Sequence, residues 1–214
     1  MGALRYIAVE GPIGVGKTSL AGLLAEEFSA RCVLENPIEN PFLARFYQDR
    51  KKYAFQTQIF FLLSRYQQQQ QLQQLDLFDQ LTISDYLFAK DRIFASVALD
   101  ENEMALYERI YRLLTGRIPT PDLVIYLQAR ARVLLSRIRQ RNQKLERSIE
   151  AGYLQTLVHA YNDYFFHYNE SPLLVIDTSE IDFVHKEKDL ASLVKEIQKP
   201  RKGTWYYVPH SFEG

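Results

Sequence analysis

Residues 11–18 read Gly-Pro-Ile-Gly-Val-Gly-Lys-Thr and match G-x-x-x-x-G-K-[ST] in full. Such a stretch cradles phosphate. Glycines let backbone N–H groups curl around the oxygens, and the following helix N-terminus adds partial positive charge. Gly11, Gly14, Val15, Gly16 and Ser19 are expected to line the phosphates. Lys17 should reach the terminal ones, and Thr18 should offer its hydroxyl to Mg²⁺. The motif implies a bound nucleoside triphosphate and leaves the reaction open.

Further chemistry lies in residues 34–42, Leu-Glu-Asn-Pro-Ile-Glu-Asn-Pro-Phe. Pro37 and Pro41 stiffen this stretch, because proline fixes its own φ and restrains the residue before it. Two acids, Glu35 and Glu39, are held there. A third cluster, Ser-Arg-Ile-Arg-Gln-Arg-Asn-Gln-Lys, carries Arg137, Arg139 and Arg141, with Arg137 and Arg141 one helical turn apart. Phosphoryl transfer relies mainly on positioning and on neutralising charge spread over the γ-phosphoryl oxygens, a task that guanidiniums suit.

These parts discriminate between reaction classes. A GTPase switch would carry N-K-x-D, which is absent. A mechanical ATPase would need more chain than 214 residues. A small-molecule kinase fits, with an arginine-rich lid over about 137–147. An anionic acceptor calls for cations after the second strand. Glu35 stands there instead, and a carboxylate at the ligand-binding edge of the sheet suits a neutral alcohol whose proton it accepts. Glu39 reads as a helix-entry acid.

The elements that must position these groups alternate. Strands are expected at Leu4–Val9, Cys32–Leu34, Leu81–Ser84, Asp122–Leu127 and Leu173–Ile176. Between them, apolar periodicity predicts helices at Lys17–Ala30, Phe42–Asp49, 52–76, Leu87–Leu99, from Asp100 to about Thr115, 130–144, 148–169 and 183–198. Asp100 and Glu103 have capping-box spacing. The pattern implies an α/β domain of three layers, a five-stranded parallel sheet flanked by helices. One domain over 1–199 is expected, followed by an aromatic tail at 200–214. The glutamines at 67–71, with Gln73 and Gln74, continue a helical pattern and read as a solvated or partner-facing helix end.

Composition narrows the partners. Equal counts of 26 basic and 26 acidic residues argue against a surface that coats nucleic acid. No apolar run approaches a membrane span, and the start lacks a signal peptide's basic and apolar regions, so a cytoplasmic location is expected. The single cysteine, Cys32, excludes an intrachain disulfide and reads as a buried strand thiol.

Together, "GPIGVGKT", the "ENP" segment, "NPFLARFYQD", "YAFQTQIFFLLSRY", "DRIFA", "PDLVIYLQA", "RIRQR" and "YLQTLVHAYNDYF" resemble the deoxynucleoside kinases, in particular the bacterial deoxyadenosine/deoxyguanosine/deoxycytidine kinase branch. The resemblance runs from the phosphate loop to about residue 169 and implies a P-loop NTPase-type fold. It also implies ATP as donor with Mg²⁺, a deoxynucleoside as acceptor, and a homodimer built on helices such as 87–99 and 101–115. Glu35 becomes the base for the 5′-hydroxyl. Tyr47 and Gln58, eleven residues apart, match the sugar-contacting tyrosine and the base-reading glutamine. Arg65 lies two helical turns beyond Gln58, and Gln56 is the second choice for the amide. Glu146 resembles the acid that joins the tyrosine at the 3′-hydroxyl. Phe61, Phe88 and Phe94 are candidates to pack on the base.

Three departures accompany the resemblance. The third strand usually ends in an acid followed by arginine, whereas Ser84-Asp85-Tyr86 stands here, so that arginine is missing or supplied elsewhere. Asp85 is then the candidate toward Mg²⁺. Asp91-Arg92 resembles a later Asp-Arg pair, which makes Asp91 a substrate-site candidate, and Gln143 replaces a third lid arginine. A purine deoxynucleoside is the first expectation and deoxycytidine the next. The alternatives are a thymidylate-like monophosphate kinase and a nucleotide-binding regulatory module without transfer activity.

Overall fold

A computed structural model describes residues 4–74, 80–116, 118–142, 146, 148–179, 181–199 and 202–207, without the side chains of 72–74. Gln143, most of the lid's outer turn and the tail beyond Tyr207 lie outside the described residues.

The chain alternates as its periodicity predicts. In order it forms β1 (Tyr6–Glu10), α1 (Lys17–Glu27), β2 (Arg31–Val33), a 3₁₀ turn at Pro37–Glu39, α2 (Leu43–Gln48), α3 (Arg50–Gln74) and β3 (Thr82–Ser84). There follow α4 (Lys90–Ala98), α5 (Glu101–Thr115), β4 (Leu123–Gln128), α6 (Ala131–Arg141), α7 (Ala151–Phe166), β5 (Leu173–Asp177), α8 (Glu187–Ile197) and β6 (Thr204–Tyr207). The helix α5 opens with the expected capping box: Glu103 N–H donates to Asp100 Oδ1 at 2.9 Å and Asp100 N–H donates to Glu103 Oε2 at 3.1 Å.

The sheet has six strands in the order β2-β3-β1-β4-β5-β6, with every pairing parallel. The expectation of five is corrected by β6, which comes from the segment read as a tail. Leu173 to Ile176 register with Thr204 to Tyr207, and the Trp205 side chain is buried. Alternation along the strands divides the core. Ile7, Val9, Ile83, Ile125, Leu127, Leu174 and Ile176 pack on one face with Leu20 and Leu24 of α1, Leu134 and Ile138 of α6 and Leu193 of α8. Tyr6, Ala8, Val124, Tyr126 and Val175 pack on the other with Ile93 of α4 and Leu157, Tyr161 and Phe165 of α7. A satellite cluster of Leu62, Phe88 and Tyr107 joins α3 to α5.

Two further expectations change. Cys32 is exposed, because β2 is an edge strand of only three residues. Its partial burial and then the charge of Asp85 push the thiol up, so it is no reactive thiolate. Within the glutamine tract, Gln69 is fully buried and donates from Nε2 to the Tyr6 hydroxyl at 3.1 Å, so this part of the helix packs inward on the sheet.

Candidate active site

The phosphate loop connects β1 to α1 at the carboxyl edge of the sheet, with β3 and β4 beside it. Its glycines are dictated by space. At Gly11 a Cβ would lie 2.4 Å from the Leu127 carbonyl oxygen. Gly14 has φ +82° and sits under α6, where a Cβ would meet Ile138 Cγ1 at 2.7 Å. Val15 is buried and Ser19 is exposed on the first turn of α1. Lys17 folds back and donates to Gly11 O at 2.7 Å and Pro12 O at 3.1 Å. Burial, and next the charge of Lys90, bring its ammonium down to about 8.

Asp85 joins the donor side to the acceptor side. Its Oδ2 accepts from the Thr18 hydroxyl at 2.6 Å and its Oδ1 accepts from the Glu35 N–H at 2.8 Å. A hydroxyl and one carboxylate in contact are a donor set that Mg²⁺ tolerates, since it keeps several waters and takes the rest of its ligands from phosphates. Among the described residues no group of three or more His, Cys, Asp or Glu side chains forms a dedicated metal cage.

Glu35 follows β2 and is held by two cations. Arg65 donates to Oε1 from Nε at 2.8 Å and lies at 2.5 Å through Nη2, while Lys90 Nζ lies 2.5 Å from Oε2. Burial alone would raise this carboxyl. The charges of Arg65 and Lys90 outweigh it and bring Glu35 down to about 2. Arg65 also pairs through Nη1 with Asp91, whose other oxygen accepts from the Tyr107 hydroxyl at 2.7 Å. Asp91 is fully buried, and burial raises it to about 6 against the opposing pull of Arg65.

One face of α3 supplies the rest of this wall. Gln58 is 2% exposed, and its Oε1 is buried without a hydrogen-bond partner. Gln56, the second choice for the amide, is exposed. Phe61 lies under Arg65, whose guanidinium carbon is 4.9 Å from the ring centre. Asn40 fixes the approach of the 34–42 stretch to α3. Its amide donates to Thr57 O at 3.1 Å and its Oδ1 accepts from Phe42 N–H at 3.0 Å. Glu39 accepts from the Asn36 amide at 2.8 Å in the 3₁₀ turn, away from these charges.

Tyr47, Tyr153 and Glu146 share a second corner: burial raises the Tyr47 phenol first, then the nearby Tyr153 and Glu146. Glu146 pairs with Arg141, with Nε donating to Oε2 at 3.2 Å. The two lid arginines have different partners. Arg137 donates to Thr178 O at 2.6 Å and Thr178 Oγ1 at 3.1 Å and reaches Val15 O at 3.4 Å, which pins α6 to the phosphate loop. Arg139 is exposed. Phe88 is not brought to the site, because it stacks on Tyr111 in the α3–α5 cluster with centroids 5.5 Å apart. Phe94 faces Lys90, whose Nζ is 5.9 Å from the ring centre.

Two charged groups were missed in the sequence. Lys90 precedes the Asp91-Arg92 pair that drew attention, and nothing in its spacing marks it. Glu10 offers a usable signal, an acid ending an apolar strand directly before the glycine loop. It is fully buried; its Oε1 accepts from Gly11 N–H at 2.8 Å and from the Tyr161 hydroxyl at 3.1 Å. Its Oε2 accepts from Leu87 N–H at 2.8 Å.

Comparisons with known proteins point to one family. The family described as deoxynucleoside kinase matches residues 7–200. Deoxyguanosine kinase of Bacillus subtilis (strain 168) is 36% identical over 205 residues, spanning 92% of this chain and 99% of that one. Deoxyadenosine kinase of Dictyostelium discoideum is 36% identical over 194 residues, spanning 89% and 78%. A solved structure of deoxyadenosine kinase from M. mycoides with dATP bound superposes with a TM-score of 0.80 at 26% identity, covering 91% of this chain and all of that one. The same enzyme with dCMP and a flexible dCDP gives 0.79 at 26% identity, covering 90% and 98%.

Proposed function

The chain belongs to the deoxynucleoside kinase family, and from that premise we propose that it transfers the γ-phosphate of ATP to the 5′-hydroxyl of a deoxynucleoside, with Glu35 receiving the hydroxyl proton. The observation that carries the reading is the ionised Glu35 carboxylate, tied by its own backbone N–H to Asp85 and through Asp85 to Thr18 of the phosphate loop. Acceptor carboxylate and donor cradle are thereby one construction.

A carboxyl at about 2 is a weak base, yet it is ionised at any physiological pH and accepts the hydroxyl's hydrogen bond. Strong basicity is unnecessary where the transition state is loose and the proton leaves late. Lys17 leaves the Gly11 and Pro12 carbonyls for the donor's phosphates. Bound Mg²⁺ would be held by Thr18 and Asp85 and would neutralise charge on the β- and γ-oxygens. Arg141 exchanges Glu146 for the transferring phosphoryl, and Glu146 with Tyr47 takes the sugar 3′-hydroxyl. Arg137 acts from the loop side, where it is already seated.

For the base, Gln58 offers an acceptor without a partner, and Arg65 beside Asp91 adds a donor and an acceptor. Paired donors and acceptors match purine edges, and the 36%-identical relatives are purine deoxynucleoside kinases. We therefore place a purine deoxynucleoside first and deoxycytidine next. Exposed Leu106 and Leu113 on α5 support a homodimer through the helices, which light scattering would test. No described helix is long and apolar enough to cross a membrane, in keeping with a cytoplasmic enzyme. Incubating the protein with ATP·Mg²⁺ and each deoxynucleoside, with monophosphate read by chromatography, tests the activity. No product from any of them refutes it.

A further inference from the structure

Glu35 is held by two buried cations with unequal numbers of partners. Arg65 is 4% exposed, bound through three nitrogens to Glu35 and Asp91, laid over Phe61 and backed by the Tyr107–Asp91 bond. It has nowhere to go. Lys90 stands on the first turn of α4, and among the described residues its Nζ has one hydrogen-bond acceptor, Glu35 Oε2. A lysine is a point charge on a flexible stem with three donors, so two of them are open to another acceptor.

The surroundings of Lys90 fit a polyanion. Lys17 of α1 is near enough for the two like charges to oppose each other; Glu10 of β1 and Glu35 after β2 attract both cations, and Asp85 after β3 attracts Lys17. The position after Asp85, where a cation was expected, is Tyr86, fully buried. Tyr86 brings no charge, and Lys90, four residues on, is the cation that pairs with Glu35 beside Arg65.

We propose that Lys90 is a further catalytic residue, a mobile cation that the donor's γ-phosphoryl draws off Glu35 Oε2. Oε2 of the acceptor-side carboxylate is then open to the nucleoside's hydroxyl only once a triphosphate is seated. This rests on Glu35 as the proton acceptor for the nucleoside. As the 5′-oxygen forms its bond to phosphorus, the bond from phosphorus to the bridging oxygen breaks and its electron pair leaves on ADP. The hydroxyl proton passes to Glu35 Oε2, the atom Lys90 has vacated. Lys90 meanwhile neutralises a γ-phosphoryl oxygen. Donor arrival and base release are one movement, which restrains premature chemistry at Glu35.

The proposal is read by binding a non-hydrolysable ATP analogue with Mg²⁺, without nucleoside, in a double-mutant cycle. Lys90→Met should bind the analogue about tenfold or more weakly. Glu35→Gln frees Lys90 and should bind it several-fold more tightly than wild type. The double variant should match Lys90→Met within about twofold, because the gain from Glu35→Gln acts through Lys90. A gain that survives in the double variant is generic relief of negative charge and overturns the proposal, as does no gain in Glu35→Gln. In turnover, Lys90→Met should lose roughly 10²-fold or more in kcat, the scale of removing one preorganised donor, with deoxynucleoside KM changed less than threefold. Lys90→Arg should recover part of that loss, and an unchanged kcat in Lys90→Met sinks the idea. Should Lys90→Met melt early, Lys90→Gln takes its place. Wild-type product formation is scored first, so a failed kinase reading is distinguished from a failed role for Lys90.

Discussion

Glu10→Gln is the sharpest probe of how the site is built. The carboxylate has three donors aimed at it from three elements: Gly11 N–H, Leu87 N–H and the Tyr161 hydroxyl. An amide of the same shape can keep its oxygen toward two of them. Its NH₂ must then face the third, and a buried N–H or O–H meets a donor. Losing a hydrogen bond to a charged group costs about 1.5–3 kcal/mol, and an unsatisfied buried donor adds about 1–3 kcal/mol. Relief of the buried charge, which burial already opposes by raising this carboxyl, offsets part of that sum. The net expectation is about 2–4 kcal/mol of lost stability in urea titration at neutral pH. A functional signature accompanies it. Glu10 is one of the charges that hold Lys17 protonated, so the variant's ammonium drops further below its ordinary value. Affinity for an ATP analogue should fall more steeply between pH 7 and 8 than in wild type. A variant within about 0.5 kcal/mol of wild type refutes the account of the three donors. Stability loss with an unchanged pH dependence refutes the electrostatic half.

Other expectations follow from the same geometry. Gly14→Ala puts a Cβ 2.7 Å from Ile138 Cγ1 and 3.1 Å from Leu134 O at a positive φ, so it should cost roughly 1–3 kcal/mol and lift α6 off the loop. Calorimetric titration with the ATP analogue should show at least a tenfold weaker fit. Lys17, depressed from 10.5 to about 8, gives opposite signs to two curves. Donor affinity of the free enzyme should fall as pH rises through 8, where the ammonium is lost. The contribution of Lys17 to stability should rise between about 8 and 10.5, because only the unfolded chain binds that proton there. Denaturant titrations across that window check the sign. Tyr107→Phe leaves Asp91 Oδ2 buried without its 2.7 Å partner and pushes a carboxyl already near 6 still higher. The acid limb of kcat/KM for the nucleoside should move up by about one pH unit, and an unmoved limb removes Asp91 from support of Arg65.

Local chemistry was legible where local rules decide. The glycine loop, the Asp100 capping box and the strand–helix alternation were readable because neighbours in sequence determine them. The Gln58–Arg65 face was readable for the same reason, since both lie on α3. What escaped depends on partners far along the chain. Thr204–Tyr207 is a strand only because β5 offers it an open edge, and four aromatic-rich residues carry no periodic signal of their own. Gln69 looked solvated until the helix was laid over Tyr6, 63 residues away. Lys90 is 55 residues from Glu35, so no spacing rule could pair them. Arg137 and Arg141 obey the helical rule that grouped them, but Thr178 captures one and Glu146 the other.

The ends of the sheet set how this chain can meet another. Among the described residues β2 offers three residues of open edge and runs soon after into Pro37, and β6 offers four. A visiting strand would find too few free N–H and C=O groups to align on, and short edges are how natural sheets discourage such zippering. Among the described residues both margins are therefore poor templates for strand addition. Helical surfaces, where side-chain shape selects the fit and the backbone is already spoken for, offer a second molecule the better approach.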